Sequence, residues 1–275
     1  MNKMNYIKYL FLFLLASNSL VTSQVTDKPS INFEKVDLRS ANDSMRKYKD
    51  TNPKKSLQYG FYALNSFQED ELSLAFVNTN YYLAETFYYI GDDRSSYEYL
   101  FKSLQLYTLL NPNKRRNKNV IKPPWILILM GNVYYRNKDY SNAEEIYYEA
   151  LDNFRLFDSI YDDEKYYGII TSLQNLALIY SEAEEYDRAL ELLNQVYEMR
   201  LNNGFTYEIL ASELIYMELY LKMGDDEMFM EYYNKLAAAY KAYSSNMANN
   251  NPQLFDVFAK LNLRYAGFLE SKGKV

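Results

Sequence analysis

The chain of 275 residues contains no cysteine and no histidine. Thiol nucleophiles, imidazole general bases and the usual zinc and haem ligand sets are therefore absent. Without cysteine there is no disulfide framework, so the burial of apolar side chains must stabilise the fold. We expect no enzyme, no catalytic or metal-binding residues and no cofactor. Glycoside hydrolysis by paired carboxylates is an enzymatic chemistry that this composition leaves open.

Glycine and proline are also scarce, with 8 and 6 residues, which favours helices. Tyrosine is abundant instead, with 31 residues. The 30 basic and 36 acidic residues give a net charge of -6, so the chain repels an anionic polymer on average. We therefore expect no nucleic-acid partner.

The amino-terminal segment has the pattern of a secretory signal peptide. Residues 1–8 carry two lysines and no acid, residues 9–16 are an apolar run, and small or polar residues follow through Ser23. The run is far shorter than the ~20 residues of a membrane-spanning helix, and it lacks the polar face of a buried first helix. We predict a signal peptide at 1–23, an extended or disordered leader at 24–36, and export of a bacterial protein to the periplasm or medium.

An internal repeat occupies the rest of the chain. Counting from Pro124, positions 4, 7, 8, 11, 20, 24 and 27 hold Leu127, Met130, Gly131, Tyr134, Ala143, Tyr147 and Ala150. Counting from Ile170, the same positions hold Leu173, Leu176, Ala177, Tyr180, Ala189, Leu193 and Val196. Small residues at positions 8 and 20 allow two helices to approach closely, and large ones at 11 and 24 fill the space beside them.

This pattern resembles the tetratricopeptide repeat family, whose unit is a helix-turn-helix of about 34 residues. The resemblance implies an all-α, right-handed superhelix over residues 37–275, with five helix pairs and a closing helix at about 253–272. Units start near 37, 77, 124, 170 and 210, so they are longer than the family's unit, as in repeat arrays of exported bacterial proteins. We expect the extra residues to lengthen each unit's second helix and the connection after it. In the fifth unit Phe229 replaces the small residue at position 20.

In that family, positions 2, 5, 9, 12 and 13 of the first helix line a concave groove that binds peptides. The resemblance therefore implies a partner-binding groove. Its candidate residues are Tyr81, Glu85, Tyr88 and Tyr89 in the second unit, Trp125, Ile128, Asn132, Tyr135 and Arg136 in the third, and Gln174, Leu178 and Glu182 in the fourth. The same positions of the fifth unit hold Ala211, Leu214, Glu218, Leu221 and Lys222. Groove tyrosines suit recognition of a partner because they combine rigid apolar area with a polar tip. An equal alternative is that neighbouring helices cover these tyrosines.

Two smaller features have ordinary structural interpretations. The acidic pairs Asp92-Asp93 and Asp225-Asp226 lie at turns between helices, where carboxylates cap the next helix. The basic segment 114–118 is predicted to be a solvated loop, because a nucleic-acid site conflicts with the net charge and the signal peptide.

The sequence therefore favours an exported, non-enzymatic scaffold that binds a protein or peptide in its concave groove. A second hypothesis is the periplasmic sensory region of a signal-transduction protein, such as a sensor kinase or transcriptional regulator. A third is a glycan-binding helical-repeat protein. We expect no membrane span after removal of the signal peptide, and the sequence gives no indication of oligomeric state.

Export can be tested directly. A bacterium that expresses the full chain is expected to remove residues 1–23, so that sequencing of the exported protein begins at Gln24. Recovery of the protein only from the cytoplasm, with residues 1–23 intact, would contradict the prediction.

Overall fold

A computed structural model describes residues 36–66, 72–203, 206–244 and 252–273. The predicted signal peptide and the leader up to residue 35 lie outside the described residues, so both stay predictions. The chain divides into two compact parts, residues 1–122 and 123–275, which we call the N-terminal body and the C-terminal body. In the described ranges all regular secondary structure is helical.

The helices follow one another in pairs. In the described residues of the N-terminal body they are α1 (Leu38–Tyr48), α2 (Pro53–Asn65), α3 (Leu74–Tyr89) and α4 (Asp93–Leu109). In the C-terminal body they are α5 (Pro124–Arg136), α6 (Tyr140–Arg155), α7 (Asp162–Glu182), α8 (Tyr186–Asn203), α9 (Thr206–Met223), α10 (Asp226–Ser244) and the closing helix α11 (Pro252–Ser271). The predicted all-α fold of five helix pairs and a closing helix is confirmed.

The turn inside the later repeat units has one backbone conformation. Position 15 of the units counted from 77, 124, 170 and 210 has a left-handed φ, with values of 82° at Gly91, 62° at Lys138, 60° at Glu184 and 72° at Gly224. The N–H of position 16 then donates to the carbonyl five residues earlier, from Asp92 to Phe87 (2.9 Å), Asp139 to Tyr134 (3.0 Å), Glu185 to Tyr180 (2.8 Å) and Asp225 to Tyr220 (3.0 Å). This bond closes the carboxyl end of the first helix.

Position 16 also starts the second helix. The side chain of Asp92 accepts a hydrogen bond from the backbone N–H of Ser95 at 3.0 Å. That of Asp225 accepts one from Met228 at 3.1 Å. Each carboxylate satisfies an otherwise unpaired N–H group at the positive end of a helix. The predicted capping roles of these two acidic residues are confirmed.

Small residues bring the helices of one unit together. A Cβ atom added to Gly131 on α5 would lie 2.3 Å from a ring carbon of Tyr147 on α6. The Tyr147 ring is buried, and its hydroxyl donates to Asn132 Oδ1 at 2.7 Å. In the N-terminal body, the buried Ser96 hydroxyl on α4 donates to the Ala84 carbonyl on α3 at 2.9 Å. The predicted close approach of the paired helices is therefore present.

The large residue at position 20 of the fifth unit is accommodated by the closing helix. Phe229 is fully buried, and its ring stacks on Phe268 of α11 with 4.4 Å between centroids. Tyr233 of α10 likewise stacks on Tyr265 of α11 at 4.0 Å. The closing helix thus supplies the apolar surface that covers the last helix pair.

The placement of the extra residues was predicted incompletely. The second helices α4, α6 and α8 have 17, 16 and 18 residues, but α7, a first helix, is longer still at 21 residues. It begins at Asp162, well before position 1 at Ile170. Three acidic residues in its first turn favour this early start, because they face the positive end of the helix.

The basic loop is solvated only in part. Lys114, Arg116 and Lys118 are exposed, as predicted. Arg115 instead lies over the ring of Tyr107, with 4.7 Å from its guanidinium carbon to the centroid, and donates to the Val120 carbonyl at 3.4 Å.

No helix in the described ranges has both the length and the apolar character that crossing a bilayer requires.

The close approach at Gly131 predicts a large effect from one methyl group. Gly131→Ala is expected to destabilise the C-terminal body by about 1–3 kcal/mol, because the buried Tyr147 ring must move. Urea unfolding followed by circular dichroism measures the change. The matched control is Gly267→Ala on α11, where an added Cβ meets nothing within 4 Å, and which is expected to be neutral or to stabilise by about 0.5–1 kcal/mol. Equal stability of the two variants would contradict the close-packing account.

Candidate functional site

Two predicted groove residues of the N-terminal body, Tyr81 and Glu85, form a partly buried polar contact on α3. The Tyr81 hydroxyl donates to Glu85 Oε1 at 3.1 Å, and the ammonium of Lys49 donates to the same oxygen at 2.8 Å. Glu85 Oε2 is buried and accepts no hydrogen bond. Burial, followed by the charge of Glu85, raises the pKa of Tyr81 well above its usual value, so its hydroxyl remains a donor.

Tyr88 and Tyr89 lie at the end of the same helix. Their rings meet edge to face at 6.2 Å, and Tyr89 is 54% exposed. The Lys49 ammonium that binds Glu85 also lies 5.6 Å from the centroid of the Tyr89 ring. The N-terminal body therefore brings four predicted residues together with one cation, Lys49, that the sequence prediction did not include.

The C-terminal body contains a cleft of about 270 Å³ lined by side chains from five helices. Three of the predicted residues line it: Tyr135 of α5, and Leu178 and Glu182 of α7. Its apolar lining consists of Ala177, Leu178, Leu193, Ile215 and Leu219. Leu178 is 36% exposed, so this apolar surface can be reached from solvent.

Charged and polar groups form the rest of the lining. The Tyr135 hydroxyl donates to Glu182 Oε1 at 3.0 Å, and the Lys222 ammonium donates to the same oxygen at 2.5 Å. A second pair follows, in which Arg264 Nε of the closing helix donates to Glu218 Oε1 at 2.7 Å. We call these five residues, Tyr135, Glu182, Glu218, Lys222 and Arg264, the polar rim of the cleft.

The ionisation of the polar rim is set by these contacts. The hydrogen bond from Lys222 is the largest cause that lowers the pKa of Glu182, and the Tyr135 hydroxyl adds to it. Burial, then the charge of Glu182, raises the pKa of Tyr135 above its usual range. At neutral pH Glu182 is therefore a carboxylate and Tyr135 a neutral phenol.

The two ion pairs of the rim are exposed enough to be exchangeable. The side chains of Glu182 and Lys222 are 32% and 41% exposed, and those of Glu218 and Arg264 are 28% and 50% exposed. Pairs of this kind contribute roughly 0–1 kcal/mol, because water and side-chain entropy offset most of the attraction. A ligand that offers equivalent charged groups can replace them at little cost.

The remaining predicted residues have structural partners. Ile128 is buried, and Trp125 packs edge to face on Phe154 at 4.8 Å while its indole N–H donates to Glu164 at 3.0 Å. Asn132 Oδ1 accepts from Tyr147 and from Asn175, at 2.7 and 3.2 Å. Gln174 Oε1 accepts from the buried Arg200 at 2.9 Å. Arg136 is exposed but does not line the cleft. The contacts of Trp125, Ile128, Asn132 and Gln174 therefore stabilise the C-terminal body around the cleft.

Some cleft residues could have been found in the sequence and one could not. The repeat register places Glu218 at position 9 and Lys222 at position 13 of the fifth unit, on the same face as Leu178 and Glu182. Arg264 lies on the closing helix, where the repeat pattern is only partial. Its role depends on the packing of α11, which the register does not describe.

The Glu182–Lys222 contact predicts a measurable shift in ionisation. Lys222→Met is expected to raise the pKa of Glu182 toward its ordinary value of 4.5, because the main hydrogen bond to the carboxylate is lost. Since the folded pKa is depressed, the stabilisation from this contact is present above the unfolded pKa and is lost as the pH falls through the folded pKa. Titration of the glutamate side-chain carboxyl carbons by NMR measures the shift. Arg264→Met is the control, since Arg264 bonds to Glu218. An unchanged Glu182 titration in Lys222→Met would contradict the assignment.

Comparisons with known proteins agree with this architecture. A family model described as tetratricopeptide repeat matches residues 124–202, which run from the start of α5 to the last turn of α8. No curated protein matches the chain in sequence.

Several solved structures share the fold. The apo form of RapI is 14% identical with a TM-score of 0.60, over 86% of this chain and 84% of RapI. A Rap protein complexed with competence and sporulation factor is 16% identical with a TM-score of 0.56, over 86% of this chain and 67% of that one. The TPR-like repeats of a putative kinesin light chain from Podosopora anserina are 16% identical with a TM-score of 0.55, over 76% of this chain and 97% of that one. The predicted resemblance is therefore confirmed: this chain contains tetratricopeptide repeats, matched in sequence over residues 124–202 and in fold over most of its length.

Proposed function

We propose that this chain is an exported, non-catalytic scaffold that binds a peptide or a protein segment in the cleft of its C-terminal body. The observation that carries the proposal is the cleft itself, in which the partly exposed Leu178 lies beside the polar rim. Concave sites with an apolar lining and a few directed polar groups are the usual form of ligand-binding sites.

The size of the cleft suits side chains of a larger partner. About 270 Å³ is less than the volume that a typical pocket provides for a whole drug-sized ligand. It is sufficient for one or two anchoring side chains, and such anchors contribute most of the binding energy in protein interfaces. The rest of the partner would lie across the surface around the cleft.

The fold supports the same function. Tetratricopeptide repeats are present at residues 124–202, and these residues contribute Tyr135, Leu178 and Glu182 to the cleft. One structure of similar fold is of a Rap protein complexed with competence and sporulation factor. A partner-binding role also agrees with the absence of cysteine and histidine, which removes the commonest catalytic nucleophiles and bases. Export rests on the predicted signal peptide at 1–23.

The contacts of Tyr135 favour a peptide over a glycan. Sugar rings stack on open aromatic faces, but the Tyr135 ring packs at 5.5 Å from that of Tyr140, and its hydroxyl is bonded to Glu182. The cleft instead offers aliphatic carbon beside paired charges, which matches the side chains of a polypeptide.

A random peptide library displayed on phage tests the proposal, with the protein immobilised through its carboxyl terminus. Peptides are expected to be enriched on the wild-type protein. Leu178→Arg is expected to weaken the binding of their synthetic copies by at least about tenfold, because the long side chain enters the cleft.

Leu201→Arg provides the matched control. Leu201 is an exposed leucine of α8 that does not line the cleft, so the same substitution there is expected to leave affinity unchanged. Circular dichroism checks that both variants fold. The proposal is wrong if no peptide is enriched, or if the enriched peptides bind Leu178→Arg as tightly as the wild type.

A further inference from the structure

The acidic charge of the chain is concentrated in the body that contains the cleft. Residues 123–275 include 24 acidic and 13 basic residues, a net charge of -11. Residues 1–122 include 12 acidic and 17 basic residues, a net charge of +5. The whole-chain value of -6 therefore conceals a strongly acidic C-terminal body. Such a field attracts basic partners and repels acidic ones over distances of about 8 Å at physiological salt.

Each ion pair of the polar rim leaves one oxygen of its glutamate without a donor. The two donors that reach Glu182, the Tyr135 hydroxyl and the Lys222 ammonium, share its Oε1 atom. Glu218 likewise receives Arg264 on Oε1. Within the described residues, Oε2 of Glu182 and Oε2 of Glu218 receive no donor.

The cations of the rim are more exposed to water than the carboxylates. Both cations are more exposed than the carboxylates that they bind, so solvent can occupy their spare donor positions. The second oxygen of each carboxylate can therefore accept a further donor, and a charged donor forms the stronger bond to it.

The N-terminal body shows the same arrangement in a second place. Lys49 and the Tyr81 hydroxyl share Oε1 of Glu85, and Oε2 of that carboxylate is left without a donor. There the open oxygen is buried, whereas the cleft of the C-terminal body is accessible beside Leu178. In both bodies a tyrosine hydroxyl and a lysine ammonium bind the same oxygen of a glutamate and leave its other oxygen open. Only in the C-terminal body can a partner reach the open oxygen.

Resting on the function proposed above, we propose that the occupant of the cleft is a basic peptide segment. An arginine or lysine side chain lays its aliphatic stem on Leu178 and donates to the open oxygens of Glu182 and Glu218. A long cationic side chain suits this site, because its stem covers apolar surface while its charged end reaches the rim. A guanidinium is the better fit, since its planar fork can bond to two carboxylate oxygens at once.

The peptides selected from the random phage library are the probe. Arginine and lysine are expected to be enriched in them relative to the unselected library. Replacing each selected arginine by citrulline, which keeps the shape and removes the charge, is expected to weaken binding about tenfold, and raised salt is expected to weaken the arginine forms alone.

The variant that tests the site is Glu182→Gln combined with Glu218→Gln. Each glutamine keeps one oxygen for the existing bonds from Lys222 or Arg264 but replaces the open acceptor by an NH₂ group. The double variant is expected to weaken the arginine peptides about tenfold and to leave the citrulline peptides unchanged. Glu145→Gln is the control, because it removes a negative charge from an exposed position of α6 outside the cleft.

The outcomes separate this inference from the function on which it rests. Selected peptides that are neutral or acidic, or arginine and citrulline forms that bind equally well, overturn the basic-partner inference while peptide binding in the cleft stands. An equal effect of Glu145→Gln and the double variant overturns the contact with Glu182 and Glu218. If no selected peptide is sensitive to Leu178→Arg, the proposed function itself fails.

Discussion

The left-handed turn at position 15 is the constraint on which the rest of the C-terminal body depends. It ends one helix, and the residue after it closes that end with its N–H group; at Asp139 and Asp225 the same residue caps the next helix with its side chain. Because the turn recurs at the same register position, positions 9, 12 and 13 of successive first helices are presented on one face. That face brings Tyr135, Leu178 and Lys222 to a common cleft, although they come from three different repeat units.

The cleft combines rigid packing between its helices with weak ion pairs at its rim. Gly131 and Tyr147 make the close packing between helices, and they leave no room for change. The ion pairs of the polar rim are partly exposed and individually contribute little to stability. A rigid framework with partly exposed charges suits binding, because the cleft keeps its shape while the second oxygens of Glu182 and Glu218 stay open to a partner.

Much of the fold could be predicted from the sequence, because small residues, turn signals and acidic caps have local causes. Gly91 and Gly224 mark two turns, but Lys138 and Glu184 adopt the same left-handed backbone at a cost of roughly 1–2 kcal/mol, and neither residue type signals it. The site could be predicted only in part. The register finds Glu182 and Glu218 but not Arg264, whose position depends on how the closing helix packs, nor the burial of Ile128.

The central claim is that partners bind in the cleft formed by the groove positions of successive repeat units. Photo-crosslinking from inside the cleft tests this claim most directly. A benzophenone side chain replaces Leu178 in one protein and Leu201 in another, and each is irradiated with a selected peptide at saturating concentration. The account predicts a crosslink from position 178, mapped by mass spectrometry next to a basic residue of the peptide, and none from position 201. Crosslinking from position 201 alone would contradict it.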